Sequence, residues 1–297
     1  MLKVDGVFAG GGIKAFSFIG ALQVLDQKKI FFERLAGTSA GAIVATFIKA
    51  GYTSEEISQL LDDLDLQQLL DPKKRSIIFP FYRWLRLYKK MGFHKGDALE
   101  HWLYTALKKK NVVTFADLPT GALKIIASDL SNSQLLVIPD DLPRYGLVPE
   151  RFSVAKAVRM SCSFPFFFEP VKLTSSSGKS AVIVDGGVLS NFPLWLFLKQ
   201  PEKKRKRPVL GFRLATSADR LEPRQINNAF SLLHSMVEAM WQAHDQRYIS
   251  KAQAENIVFI PVRNISATQF SISDEEKQAL IQLGAQCTED FLKSWTY

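Results

Sequence analysis

Ser39 stands between Gly37 and Gly41 in the stretch GTSAG, after an apolar run and before a helical pattern. A G-x-S-x-G turn from strand to helix exposes a serine hydroxyl on a sharp, strained bend. The N–H of the next residue, here Ala40, points at the same spot. Alone the pattern is weak, because small residues crowd any tight strand-to-helix connection. One helix earlier the chain reads VFAGGGIKAF, with Gly10, Gly11 and Gly12 followed by Lys14 and Ala15. Three residues without Cβ let backbone N–H groups converge on a negative atom, and the following helix N-terminus adds its dipole. If Ser39 attacks a carbonyl, the oxyanion would meet donors from Gly10, Gly11, Gly12 and Ala40. Such donors are worth about 3–4 kcal/mol each in the transition state.

Gly10-x-Gly12-x-x-Ala15 also fits a dinucleotide fingerprint. That reading requires an acid about 20 residues on, at the end of the second strand, to take the ribose hydroxyls. Here the second strand ends in GTSAG, Glu33 lies at its start and Asp26 lies in the preceding helix. The cofactor reading fails at its most specific point, and no cofactor is expected.

A serine hydroxyl needs a base. The chain has four histidines, His94, His101, His234 and His244. The last two fall inside SLLHSMVEAMWQAHDQRY, a continuous helical pattern rather than a loop after a strand. A better placed group is Asp185 in AVIVDGGVLSNFP, where an apolar strand delivers a carboxylate and Gly186 and Gly187 let the chain turn away. A partly desolvated carboxylate can take the serine proton directly. Taken alone, Asp185 could equally cap the next turn; the two glycine-bearing turns favour the base.

Positioning these groups requires strands that end in turns. Short apolar or β-branched runs at 3–9, 34–37, 123–128, 135–138, 181–184, 209–214 and 257–262 read as strands. Helical patterns follow residue 13 and Ser39, the latter closing at Gly51, and another runs over 225–254. Thr53 with Glu56, and Ser273 with Glu276, match the capping box of two more helices. Strands alternating with helices predict a three-layer α/β/α fold with a mainly parallel central sheet. With 297 residues and no composition break, the chain reads as one domain over 1–297.

Hydrophobic content of 47% is ordinary for a globular protein, and no apolar run approaches the ~18 residues of a membrane span. The N-terminus carries Asp5 where an export signal needs an unbroken apolar stretch. Two distant cysteines suggest no disulfide framework, so the expected compartment is a reducing cytoplasm. The formal charge of +9 is concentrated at 73–75, 108–110 and 203–207. No nucleic-acid-binding signature accompanies it, and no metal-binding cluster is present.

The ordered set GGGIK (residues 10–14), GTSAG and DGG (185–187) resembles the patatin-like phospholipases. VRMSCSFPFFFEPV (158–171) is similar to the segment that family carries between serine and aspartate, and NFP (191–193) follows the aspartate as in its pattern. The resemblance implies Ser39 as nucleophile, Asp185 as base and Gly10, Gly11 and Gly12 as the oxyanion hole. Lys14 would orient the loop, and Gly37, Gly41, Gly186 and Gly187 would shape the turns. It implies metal-independent hydrolysis of ester-linked acyl chains, of phospholipids or lysophospholipids, through an acyl-enzyme. A broader lipid esterase, neutral-lipid lipase or thioesterase, or a non-catalytic lipid-binding protein, would share the same sequence pattern. Ala15 departs from the glycine common at that point, with little consequence expected for a helix packed on a sheet.

Residues 76–103 interleave Phe79, Phe81, Tyr82, Trp84 and Tyr88 with Arg83, Arg86, Lys89 and Lys90. Rings beside cations suit a lid or a peripheral contact with an anionic membrane, the rings entering the lipid boundary and the charges meeting phosphates. The alternative is an amphipathic helix packed on the core with a basic outer face.

Overall fold

The computed structural model describes residues 1–63, 69, 87–175, 178–198, 206–214, 255–262 and 272–296, with isolated positions between 232 and 240. An eight-stranded sheet forms the centre. Its core strands are β1 (Leu2–Phe8), β2 (Ile30–Thr38), β4 (Leu123–Asp129), β9 (Val209–Arg213) and β10 (Ile257–Phe259), all parallel in the order β10-β9-β1-β2-β4. Central strands buried on both faces read as near-continuous apolar runs, and Val4, Val7 and Phe8 of β1 are fully buried. Phe8 stacks on Phe212 of β9 and meets Phe18 edge-on, with centroids 4.8 and 5.2 Å apart.

Helices cover both faces of the sheet: α1 (Phe16–Gln27), α2 (Ala40–Lys49), α3 (Ser54–Asp62), α4 (Asp97–Lys109), α5 (Val154–Ser161), the single turn α6 (Trp195–Leu198) and α7 (Asp274–Ser294). The capping boxes at Thr53/Glu56 and Ser273/Glu276 have both of their hydrogen bonds. Helices α1 and α7 touch backbone to backbone, since a side chain at Gly284 would run into the carbonyl of Ser17, and one at Gly20 into that of Ile281.

Three antiparallel pairings complete the sheet. Strand β5 (Gln134–Ile138) lies along one edge of β4, and β8 (Ser180–Asp185) pairs with both β4 and β7 (Val171–Thr174). On β4, Ile126 is paired with Val137 and Thr38, and Ala127 with Leu136 and Asp185. With β5 occupying one edge, β2 and β8 share the other and run toward each other, their ends abutting on consecutive β4 residues.

The structure extends the expected strands in two ways. Strand β2 begins at Ile30 rather than 34, because Ile30, Phe31 and Phe32 pair with Leu2, Lys3 and Val4 of β1, while Arg34 lies opposite buried Asp5 and bonds it with both Nε (3.0 Å) and Nη2 (2.5 Å). Three strands had no clear sequence signal: β7, and the pair β3 (Gly92–His94) and β6 (Phe166–Phe168) of a separate small sheet. The predicted helix at 225–254, apart from five positions, and Phe79, Phe81, Arg83, Trp84 and Arg86 lie outside the described residues. No helix among the described residues is long and apolar enough to cross a membrane.

Candidate active site

Ser39 closes β2 and caps α2. Its backbone lies at φ 53°, ψ −126°, a region an L-residue occupies only under strain and one concentrated at functional sites. Its carbonyl accepts the N–H groups of Ala42 and Ile43 at 2.8 and 3.2 Å. The bend is possible because Gly41 has no side chain; a Cβ there would press on the carbonyls of Phe8 and Ala9.

The Ser39 hydroxyl donates directly to Asp185 Oδ2 at 2.7 Å, with no imidazole between them. Asp185 is 2% exposed, and its Oδ1 accepts the Gly187 N–H at 2.8 Å. Burial pushes its carboxyl up to about 7, against the smaller opposing pull of hydrogen bonds from Gly187 and Ser39. The described histidines lie elsewhere: His94 packs on Phe167, and His101 is exposed on α4. His234 and His244 lie outside the described residues. Cys162 is buried close by, and burial, reinforced by the Asp185 charge, pushes its thiol up so that it stays protonated and non-nucleophilic.

The glycine loop lies against the serine: a side chain at Gly10 would come 3.2 Å from Ser39 Cβ. One expectation is corrected here. The Gly10 N–H is spent on the Asn191 carbonyl at 3.1 Å, so it leaves the set of donors. The N–H groups of Gly11, Gly12 and Ala40 meet no protein acceptor among the described residues. Lys14 follows in a 3-10 turn over Gly12–Ala15, its N–H bonded to the Gly11 carbonyl at 3.3 Å and its carbonyl accepting the Ser17 hydroxyl at 2.8 Å.

Residues that sequence reasoning did not assign a role hold the pair in place. Ser161 Oγ accepts the Ser39 N–H at 2.8 Å and donates to the Ile126 carbonyl at 2.5 Å. The Ser163 carbonyl accepts the Asp185 N–H at 2.9 Å. Arg159, 3% exposed, binds Ser163 Oγ, the Lys95 carbonyl and the carbonyls of Gly96 and Glu169 at 2.9 Å, with the Phe168 ring 5.0 Å away. A planar guanidinium with five donors can be solvated in this way by carbonyl dipoles. The available signal was the spacing of Arg159, Ser161 and Ser163 inside VRMSCSFPFFFEPV.

The architecture and this arrangement agree with the family profile described as patatin-like phospholipase, which matches residues 6–198. The chain belongs to the patatin-like phospholipase family, and with it to the lipid acyl hydrolases. It is 49% identical over 296 residues to the uncharacterized protein YqhO of Bacillus subtilis, covering 100% of both chains. It is 25% identical over 197 residues to a cUMP-AMP-activated phospholipase of Escherichia coli, covering 62% of this chain and 54% of that one. The crystal structure of VipD from Legionella pneumophila has the same fold, with TM-score 0.57, 17% identity and coverage of 98% of this chain and 67% of that one.

Proposed function

We propose that this protein hydrolyses ester-linked acyl chains of phospholipids or lysophospholipids through a Ser39–Asp185 dyad. The observation that carries the reading is the direct hydroxyl-to-carboxylate bond on a strained elbow. Asp185 removes the Ser39 proton as Oγ attacks the ester carbonyl carbon. The oxyanion is held by the N–H groups of Gly11, Gly12 and Ala40, the last at the positive end of the α2 dipole. Asp185 then gives its proton to the departing alcohol, leaving an acyl-enzyme on Ser39. In the second step Asp185 takes a proton from water, whose oxygen attacks the acyl carbonyl. The fatty acid leaves and the proton returns to Ser39.

The whole chain acts as a single catalytic unit in this reading. Strands β9 and β10 and helix α7 lie beyond the family match, yet the two strands extend the same sheet and α7 packs against α1. Contact with an anionic membrane is assigned to the aromatic and cationic run at 79–86. The charge of +9 and the exposed Tyr88, Lys89 and Lys90 that follow the run support it.

A fluorophosphonate probe should label the wild type covalently and leave Ser39→Ala unlabelled. Asp185→Asn should cut kcat on phospholipid vesicles by about 10³-fold, within the range for loss of a general base. Turnover near the wild-type rate in Asp185→Asn would remove the dyad.

A further inference from the structure

We infer that Asn191 is a positioning residue that sets the aim of the oxyanion donors, an inference that rests on the reading above. This one residue grips Gly10 on three sides. Its carbonyl accepts the Gly10 N–H at 3.1 Å, and its Nδ2 donates to the Gly10 carbonyl at 3.3 Å. Its Oδ1 lies against the Gly10 Cα, where any side chain at Gly10 would collide with it.

That amide oxygen is buried and has no hydrogen-bond donor among the described residues. A buried acceptor left without an N–H or O–H partner keeps an uncompensated desolvation cost. An apolar residue at 191 would avoid that cost but would lose the grip on Gly10.

The segment carrying Asn191 is itself tied to the nucleophile strand. The Thr38 hydroxyl donates to the Ser190 carbonyl at 3.1 Å, and Trp195 Nε1 donates to Ser190 Oγ at 3.2 Å. A run of three glycines is otherwise the most freely moving kind of backbone. With both polar groups of Gly10 held, the Gly11 and Gly12 N–H groups keep one direction relative to Ser39, as preorganised oxyanion stabilisation requires.

Asn191→Ala should lower kcat about a hundredfold, the loss expected when such donors are misaimed, with KM changed less than about threefold. The acid limb of the pH–rate profile should stay in place, because Asp185 is untouched. Asn191→Asp, nearly isosteric, loses the NH2 donor and sets a carboxylate beside the oxyanion; it should lose at least as much, and it stands in if the alanine variant does not fold. Amide hydrogen exchange at Gly10 should quicken at least about tenfold in both variants. Most of the loss caused by Gly10→Ala should disappear in the Asn191→Ala background, a non-additive cycle that marks direct contact. Wild-type kcat with wild-type exchange at Gly10, or an additive cycle, would overturn the inference. Exchange is read without turnover, so an inert wild type would count against the hydrolase reading while the grip on Gly10 is decided separately.

Discussion

Asp185 is where chemistry and stability pull against each other. In the proposed reaction its carboxyl must be ionised to accept the Ser39 proton, and burial lifts it to about 7. On a soluble ester, kcat/KM should therefore rise with pH along a limb centred near 7; a limb near 4 would mean a solvated carboxylate. The same shift fixes the sign of a stability effect. Between its ordinary value of 3.8 and about 7, the folded chain holds a proton that the unfolded chain has released, so stability falls as pH rises through that window and stays low above it. Asp185→Asn should remove this cost, raising stability at pH 8 by up to roughly 4 kcal/mol. The gain should vanish toward pH 4 in urea melts run across the range. An unchanged or lowered midpoint at pH 8 would contradict the effect of burial on this group.

Helix α5 and the loop after it act as a bracket on both residues of the proposed dyad, through Ser161 to the Ser39 amide and through Ser163 to the Asp185 amide. Ser161→Ala leaves the Ser39 N–H without its acceptor and should cost about 1–3 kcal/mol in urea melts, with kcat lowered as the elbow relaxes. At the α1–α7 crossing, Gly284→Ala forces two backbones apart and should cost about 1–3 kcal/mol by thermal melting, the usual range for overpacking. The two glycine turns and the strand ending in Asp185 were legible in the sequence because each is a short contiguous pattern dictated by its chemistry. The bracket was not, since its contacts join segments far apart in the chain, as Gly92 pairs with Phe166 and Arg159 reaches Gly96. The first half of β2 was obscured for a related reason: Ile30, Phe31 and Phe32 pair with Leu2, Lys3 and Val4 of β1, partners that lie on the far side of α1 in the chain.

At the scale of the molecule, the excess of positive charge and the aromatic run near 79–86 make a prediction about surfaces. Binding to anionic vesicles should exceed binding to neutral ones and weaken with added salt, since exposed charges are screened within about 10 Å at 0.1 M. Replacing Phe81 and Trp84 by serine should reduce vesicle binding while sparing hydrolysis of a soluble ester. Co-sedimentation and a chromogenic assay on the same samples separate the two, and unchanged vesicle binding removes the assignment.

The meeting of β2 and β8 on adjacent residues of β4 makes that strand a ruler, with the proposed proton path measured in one peptide step. Side chains alternate faces along a strand, so a register slip of one residue turns every side chain of that strand to the opposite face. One extra residue beside Val184 would keep the composition of the site and still point its carboxylate the wrong way. Such a chain would be disabled by counting rather than by chemistry.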